Sequence, residues 1–383
     1  MNRSVRIQGG SVLTGGAFVD AAVDIDDGRI AVLGAETGRG RTLDASGLYV
    51  LPGIVDIHGD AFERQLMPRP GVAFPNDVAL RDSDRQAVVN GITTVYHGVT
   101  ASYEPGLRSL DNARSILAAL ERMRPTLAAD TRFHLRHETF NVDAEAEVTG
   151  WVERRRIDLL GFNDHMPGLD TPPRTRKLEQ MAERSGMCPQ AYMQMIERLR
   201  ERAGEVPHSV ERLAGAARAG GIPTLSHDDM SPAQRGWFRA RGCRLAEFPT
   251  TLETAEEAIA AGDDVVMGAP NVVRGGSHIG WIGAADMIRR GCCTVLASDY
   301  YYPAPLLAAF RLAADGIAPL TRAWDYVSEA PARAVGLTDR GILEAERRAD
   351  LILVQACDTS APAVIATIVC GRIVYLGEPG RVH

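Results

Sequence analysis

The sequence predicts an α/β protein: a TIM-like (β/α)8 barrel carrying a small composite β-sandwich domain assembled from both termini. Three observations predict it. The length of 383 residues suits a barrel of roughly 250 residues plus a smaller unit. The middle of the chain alternates strand-like and helix-like runs, with eight of the former. Both ends are β-rich and punctuated by turns, unlike the middle.

Taken in order, the first 50 residues carry no helical period. Alternating runs at 4–8, 17–25 and 29–33 are separated by Gly-Gly and Asp-Asp-Gly turns, the pattern of a small antiparallel unit. The last 40 residues repeat that character, with β-rich runs at 349–354 and 364–376 and Gly371-Arg372 between strand-like segments. Residues 1–50 and 343–383 are therefore expected to share one β domain, and 51–342 to form the barrel. The eight expected barrel strands are 50–57, 92–99, 131–136, 158–162, 223–226, 244–248, 264–268 and 294–297. Amphipathic helical segments such as 107–122 and 254–261 lie between them, which argues a closed parallel barrel. The longest departure, 166–222, holds a charged helical pattern at 188–202 behind a Thr171-Pro172-Pro173 start. At that end of a barrel it reads either as a lid over the active site or as a surface excursion.

Hydrophobic residues at 45% and charged residues at 24% allow a sizeable core and argue against disorder. A net charge of −7 without a basic segment disfavours nucleic-acid binding, so an anionic substrate must find its positive partners locally. Six cysteines lack any CxxC spacing and read as small apolar residues in a reducing compartment. The N-terminal run MNRSVRIQGG has no apolar core, and no run of 18 apolar residues occurs. The expectation is a cytoplasmic protein without a membrane span, acting on a small molecule and open to homo-oligomerisation.

In a barrel of this kind catalytic groups sit where strands end. The first strand ends VDIHGD, giving His58 and Asp60, which the period of two places on one face. The third ends HLRHE (Glu138), the fourth GFNDH (His165), the fifth LSHDD (His227, with Asp228 and Asp229) and the eighth LASDY (Asp299). Each has a plainer reading. A lone strand histidine is often a satisfied core residue, and Asp228, Asp229 and Asp299 each stand where a helix N-cap stands. Co-occurrence at five of eight strand ends argues instead for a divalent metal site of one or two ions. Imidazole with carboxylate suits Zn2+, and also Mn2+ or Fe2+.

LPGIVDIHGD resembles the signature of the amidohydrolase superfamily, as do GRIAVLG near the start and RRADLILV with VCGRIVYLG near the end. More narrowly, HGDAFERQLMPRPGVAF, NGITTVYHG, HLRHE, GFNDHMPG, SHDD, AEFPTT and MGAPNVVRGGSHIGW resemble its phosphonate-catabolism branch, whose members hydrolyse a triphosphate to release pyrophosphate. The resemblance implies metal binding by His58, Asp60, Glu138, His165, His227 and Asp299. Glu138 would stand where many relatives place a carboxylated lysine between two ions, and His165 would bind metal or touch substrate. Ala61-Phe62-Glu63 departs from the Asn-Leu-Glu run common in the branch.

The expected chemistry is metal-assisted hydrolysis, in which a bound ion lowers the pKa of water to about 7 and Asp299 takes the water's proton. Phosphoryl transfer needs charge neutralisation. Candidates are Arg64 and Arg69 after the first strand, Arg136 beside Glu138, and Arg274. The run Arg274, Gly275, Gly276, Ser277, His278 is expected to loop around the polyphosphate before a helix over 282–290, its glycine amides facing the anion. His278 would protonate the departing pyrophosphate. The glycines equally suit a plain turn. Two other readings stay open: an amidohydrolase acting on a C–N bond, such as a deacetylase or cyclic amidase, and a non-catalytic scaffold.

Overall fold

The computed structural model describes residues 4–34, 40–69, 71–166, 175–276, 282–357 and 360–383. Seven short strands open the chain: β1 (Val5–Gln8), β2 (Ser11–Thr14), β3 (Ala17–Asp20), β4 (Val23–Asp26), β5 (Arg29–Leu33), β6 (Arg41–Asp44) and β7 (Tyr49–Pro52). The barrel strands follow as β8 (Ile54–Gly59), β9 (Ile92–Ala101), β10 (Asp130–Glu138), β11 (Leu159–Asn163), β12 (Thr224–His227), β13 (Leu245–Glu247), β14 (Asp264–Gly268) and β15 (Val295–Ala297). Three strands close the chain: β16 (Leu351–Cys357), β17 (Ser360–Val369) and β18 (Arg372–Leu376).

The eight barrel strands lie side by side in chain order, every neighbouring pair parallel. Closure comes at the carboxyl ends. The Asp299 N–H donates to His58 O and the Asp60 N–H to Asp299 O, both at 2.9 Å, which joins the last strand to the first. Inside, Val55, Ile57, Tyr96, Leu159, Leu225 and Val266 pack into a closed apolar plug. The His, Asp and Glu side chains at the carboxyl ends of the strands stand above that plug.

The termini form two further sheets, ordered β5-β4-β1-β6 and β18-β17-β16-β7-β2-β3. The second is composite: β7 from the first part of the chain pairs antiparallel with β16 from the last. Their apolar faces share one core, in which Ile7, Val12 and Ile25 meet Leu351, Leu353 and Ile368.

Two expectations change. The run expected as one strand at 50–57 divides at Gly53, where the chain leaves the terminal sheet and enters the barrel. A Cβ at Gly53 would lie 2.2 Å from the Thr93 hydroxyl oxygen, so only glycine lets the two backbones approach there. The stretch after β14, expected as a loop, is the helix Ala269–Arg274. Within the long excursion after β11 lie helices Thr175–Arg184, Pro189–Glu201 and Val206–Gly220. The middle one buries Tyr192 and Ile196, and the Tyr192 hydroxyl donates to Glu104 Oε1 at 2.7 Å. Among the described residues no helix is long and apolar enough to cross a membrane.

Candidate metal centre and active site

The carboxyl ends of the strands bring together nearly all the residues expected there. Three groups have ligand atoms within 4.8 Å of one another: His58 with Asp60 and Asp299, His165 with His227 and Asp228, and His58 with His227 and Glu247. The first two groups form adjoining lobes, and the stacked rings of His58 and His227, 5.7 Å apart, join them. Glu138 belongs to none of the three. Its carboxylate faces His165, with Oε1 2.5 Å from Nδ1 and Oε2 accepting from the His165 N–H at 3.2 Å.

Charge in the site follows from burial. Burial first, and the Arg136 guanidinium second, push both His58 and His227 down to about 3, so each presents a neutral ring. Burial, reinforced by the Asp60 carboxylate, pushes Asp299 up to about 7. At His165 burial works against the charge, yet Glu138 and Asp228 outweigh it and hold the ring at about 9. His165 in turn overcomes burial at Glu138 and holds it at about 2. Glu138 and His165 thus form an ion pair with each other at the edge of the centre.

The residues fit a divalent cation. Two carboxylates, Asp60 and Asp299, face one another beside a neutral imidazole, an arrangement that repels itself until a cation enters. Neutral imidazole and carboxylate are the donors that zinc, manganese and iron take. Arg136, 4% exposed, lies across the gap between the lobes, with its guanidinium nitrogens 3.4 Å from Asp60 Oδ2 and 3.3 Å from His227 Nε2.

The backbone at these positions is unusual. Asp228, Phe248 and Asp299 have φ of 59°, 54° and 54°, the left-handed region that residues other than glycine seldom adopt. Each stands at the end of a barrel strand, and each N–H is anchored on the neighbouring strand: Asp228 to Glu247 O, Phe248 to Val266 O, Asp299 to His58 O. These bonds hold a conformation that would cost about 1–3 kcal/mol per residue. They also show that Asp228 and Asp299 are not N-caps, since Ser231 and Pro303 occupy those positions of the following helices.

Of the expected anion contacts, Arg64 and Arg274 converge. Arg64 Nη2 donates to Tyr300 O at 2.5 Å and Arg274 Nη1 to the Tyr300 hydroxyl at 3.3 Å, beside Asp299. Arg69 is exposed in a turn facing Val72, and among the described residues no contact ties it to the centre. The glycines take a different part from the one expected. The Gly275 N–H donates to Val272 O and the Gly276 N–H to Asn271 O, so both amides close the end of the helix Ala269–Arg274 instead of facing an anion. Gly275, with φ 82°, is the left-handed cap that such an ending requires. Ser277 and His278 lie outside the described residues.

Glu247 and Asp56 were missed, although a carboxylate inside an apolar strand run needs a partner and is itself a signal. Asp56 accepts the Ser298 N–H at 2.9 Å and the Ser298 hydroxyl at 2.6 Å, which locks β15 to β8 just below Asp299.

No family model matches the chain. Along most of its length, however, it is 34% identical to α-D-ribose 1-methylphosphonate 5-triphosphate diphosphatase of Escherichia coli K12, over 349 residues covering 89% of this chain and 92% of that protein. The chain belongs to this diphosphatase family of the amidohydrolase superfamily. Elsewhere in the superfamily, D-hydantoinase of Rhizobium radiobacter is 45% identical over 53 residues, 14% of this chain and 12% of that protein. The solved dihydropyrimidinase of Brevibacillus agri NCHU1002 superposes with a TM-score of 0.65 at 12% identity, covering 98% of this chain and 95% of that one, a likeness of fold alone. Members of the superfamily use divalent metals, and the diphosphatase family places this barrel among the superfamily's hydrolases.

Proposed function

We propose that the chain hydrolyses the triphosphate of α-D-ribose 1-methylphosphonate 5-triphosphate, releasing pyrophosphate. The observation that carries this reading is that Arg64 and Arg274, from the short helices after the first and seventh barrel strands, both donate to Tyr300 beside Asp299, one to its carbonyl and one to its hydroxyl. A rim of two guanidinium groups above facing carboxylates suits a polyanion bridged to a cation, and a neutral cyclic amide has no use for it.

His58, Asp60 and Asp299 would hold one divalent ion, and His227 with Asp228 a second, which His165 would complete on losing its proton. When bound, such an ion lowers the pKa of water to about 7. Asp299 then accepts the proton of the attacking water at its carboxylate. The water oxygen bonds to the α-phosphorus as the bond to the bridging oxygen breaks, and pyrophosphate departs with that electron pair. Arg136, poised between Asp60 and His227, moves onto the α-phosphate, while Arg64 and Arg274 neutralise the departing end. Protonation of the leaving group by His278 is part of the same proposal.

The test is pyrophosphate release from the ribose triphosphate and nucleoside triphosphates, measured beside ring opening of cyclic amides, by the wild type and Arg274→Ala. Loss of a charge-assisted contact should raise KM for the triphosphate at least about tenfold, with metal content unchanged. Turnover of cyclic amides with no release from any triphosphate would place the chain with the C–N hydrolases of its superfamily instead.

A further inference from the structure

The fifth barrel strand ends in the run Ser226-His227-Asp228-Asp229. In a regular strand successive side chains point to opposite faces, so His227 and Asp228 could not serve one site. Here they do. His227 Nε2 and Asp228 Oδ2 share a lobe at 3.6 Å, close to the roughly 3.3 Å between two ligands at zinc bond lengths in a tetrahedral site. Asp229 turns back on the strand instead, and its Oδ2 accepts from the Ser226 hydroxyl at 2.5 Å. The reversal falls at Asp228, whose φ of 59° is left-handed.

A buried arginine closes this reversal from behind. Ser231 caps the helix Pro232–Arg239, and Arg235, one turn in, is 0% exposed. Its Nη1 donates to Ser226 Oγ at 2.5 Å, and to Asp229 Oδ2 and the Leu245 carbonyl at 3.1 Å each. Its Nη2 donates to the Cys243 carbonyl, and Asp263 Oδ2 stands 3.4 Å from Nε. One guanidinium therefore spans the residues on either side of His227 and Asp228 and ties both to β13. A buried ion pair is a costly way merely to join a helix to a strand, since apolar residues of similar volume often do so as well. What apolar packing does not supply is a planar fork that reaches several acceptors at once.

We infer that Arg235, acting through Ser226 and Asp229, is a positioning residue for the second metal lobe: the bracket it closes holds the chain reversed at Asp228 and turns His227 and Asp228 onto one ion. Arg235 lies behind the strand and reaches neither ion nor substrate. Its part is that of an outer group that orients inner ligands. The inference rests on the two-ion reading above.

Two variants test it. Ser226→Ala opens the bracket without leaving a buried charge unpaired, and Arg235→Lys keeps the charge but loses the fork. In two-step zinc titrations of the full chain, both should bind the second ion about 10–100-fold more weakly. The first ion, at His58, Asp60 and Asp299, should bind as in the wild type. A strut that only stabilises the fold would lower the melting temperature and weaken both steps alike; that outcome, or wild-type affinity at both steps, overturns the proposal. A crystal structure of metal-free Ser226→Ala needs no ion. Asp228 should leave the left-handed region and draw away from His227, and finding both in place overturns the bracket. If the wild type takes up one ion or none, the two-ion reading fails, and the metal-free structure alone decides whether Arg235 positions the pair.

Discussion

Asp299 serves two purposes from one strained backbone position. Its N–H and carbonyl hold the barrel shut against His58 and Asp60, while its carboxylate faces Asp60 across the place for an ion. The backbone part survives any change of side chain; the chemistry does not. Asp299→Asn should therefore fold and retain most of its metal but lose about 10²–10⁴-fold in turnover, because an amide takes no proton. His227→Ala should behave differently, losing metal and activity together, since it removes a nitrogen from the second lobe and a partner from Glu247. Metal analysis beside kinetics separates the two variants; full metal content in His227→Ala would remove it from the ligand set. The sequence showed His58, Asp60, His227 and Asp299 because each ends a recognisable strand. It hid Glu247, which is one more acidic residue until a fold sets it between two histidines.

At the scale of elements, the decisive junction is Gly53. Pro52 ends a strand of the terminal sheet, and two residues later Ile54 begins the barrel, with the Gly53 N–H donating to Asp350 O. The apolar run through this point shows no break, because both strands are buried and a buried strand reads as continuous hydrophobicity. Gly53→Ala drives a methyl into Thr93 and should cost about 1–3 kcal/mol of stability as overpacking. Pairing it with Thr93→Ala should return part of the loss, since the clash needs both side chains. A thermal melt of the single variant that matches wild type would show that the junction tolerates a side chain. The helix Ala269–Arg274 was illegible for another reason. Its Ala-Pro start and Gly-Gly end look like loop punctuation, yet proline suits a first helical turn and glycine a helix end.

Across the whole molecule, the two ends of the chain are stitched to each other and to the barrel. β7 hydrogen-bonds to β16 along its length, Thr367 donates to Val88 O, and the Trp324 indole donates to Pro52 O. A chain truncated after residue 348 loses β16, β17 and β18, exposes one hydrogen-bonding edge of β7 and strips the core of Leu351, Leu353 and Ile368. It should not fold cooperatively, and circular dichroism with a melt at wild-type temperature would contradict that. By itself the sequence determined the class, the eight strands and the composite β domain, and it picked out most of the His, Asp and Glu side chains that gather at the strand ends, because periodicity and strand-end chemistry are local properties. Only the tertiary structure decided which residues share a lobe, that Glu138 turns to His165, that the two glycine amides are spent on a helix end, and that Glu247 and Phe248 lie against the same two rings. Those outcomes depend on backbone reversals and on contacts between strands far apart in the chain, and no local pattern encodes them.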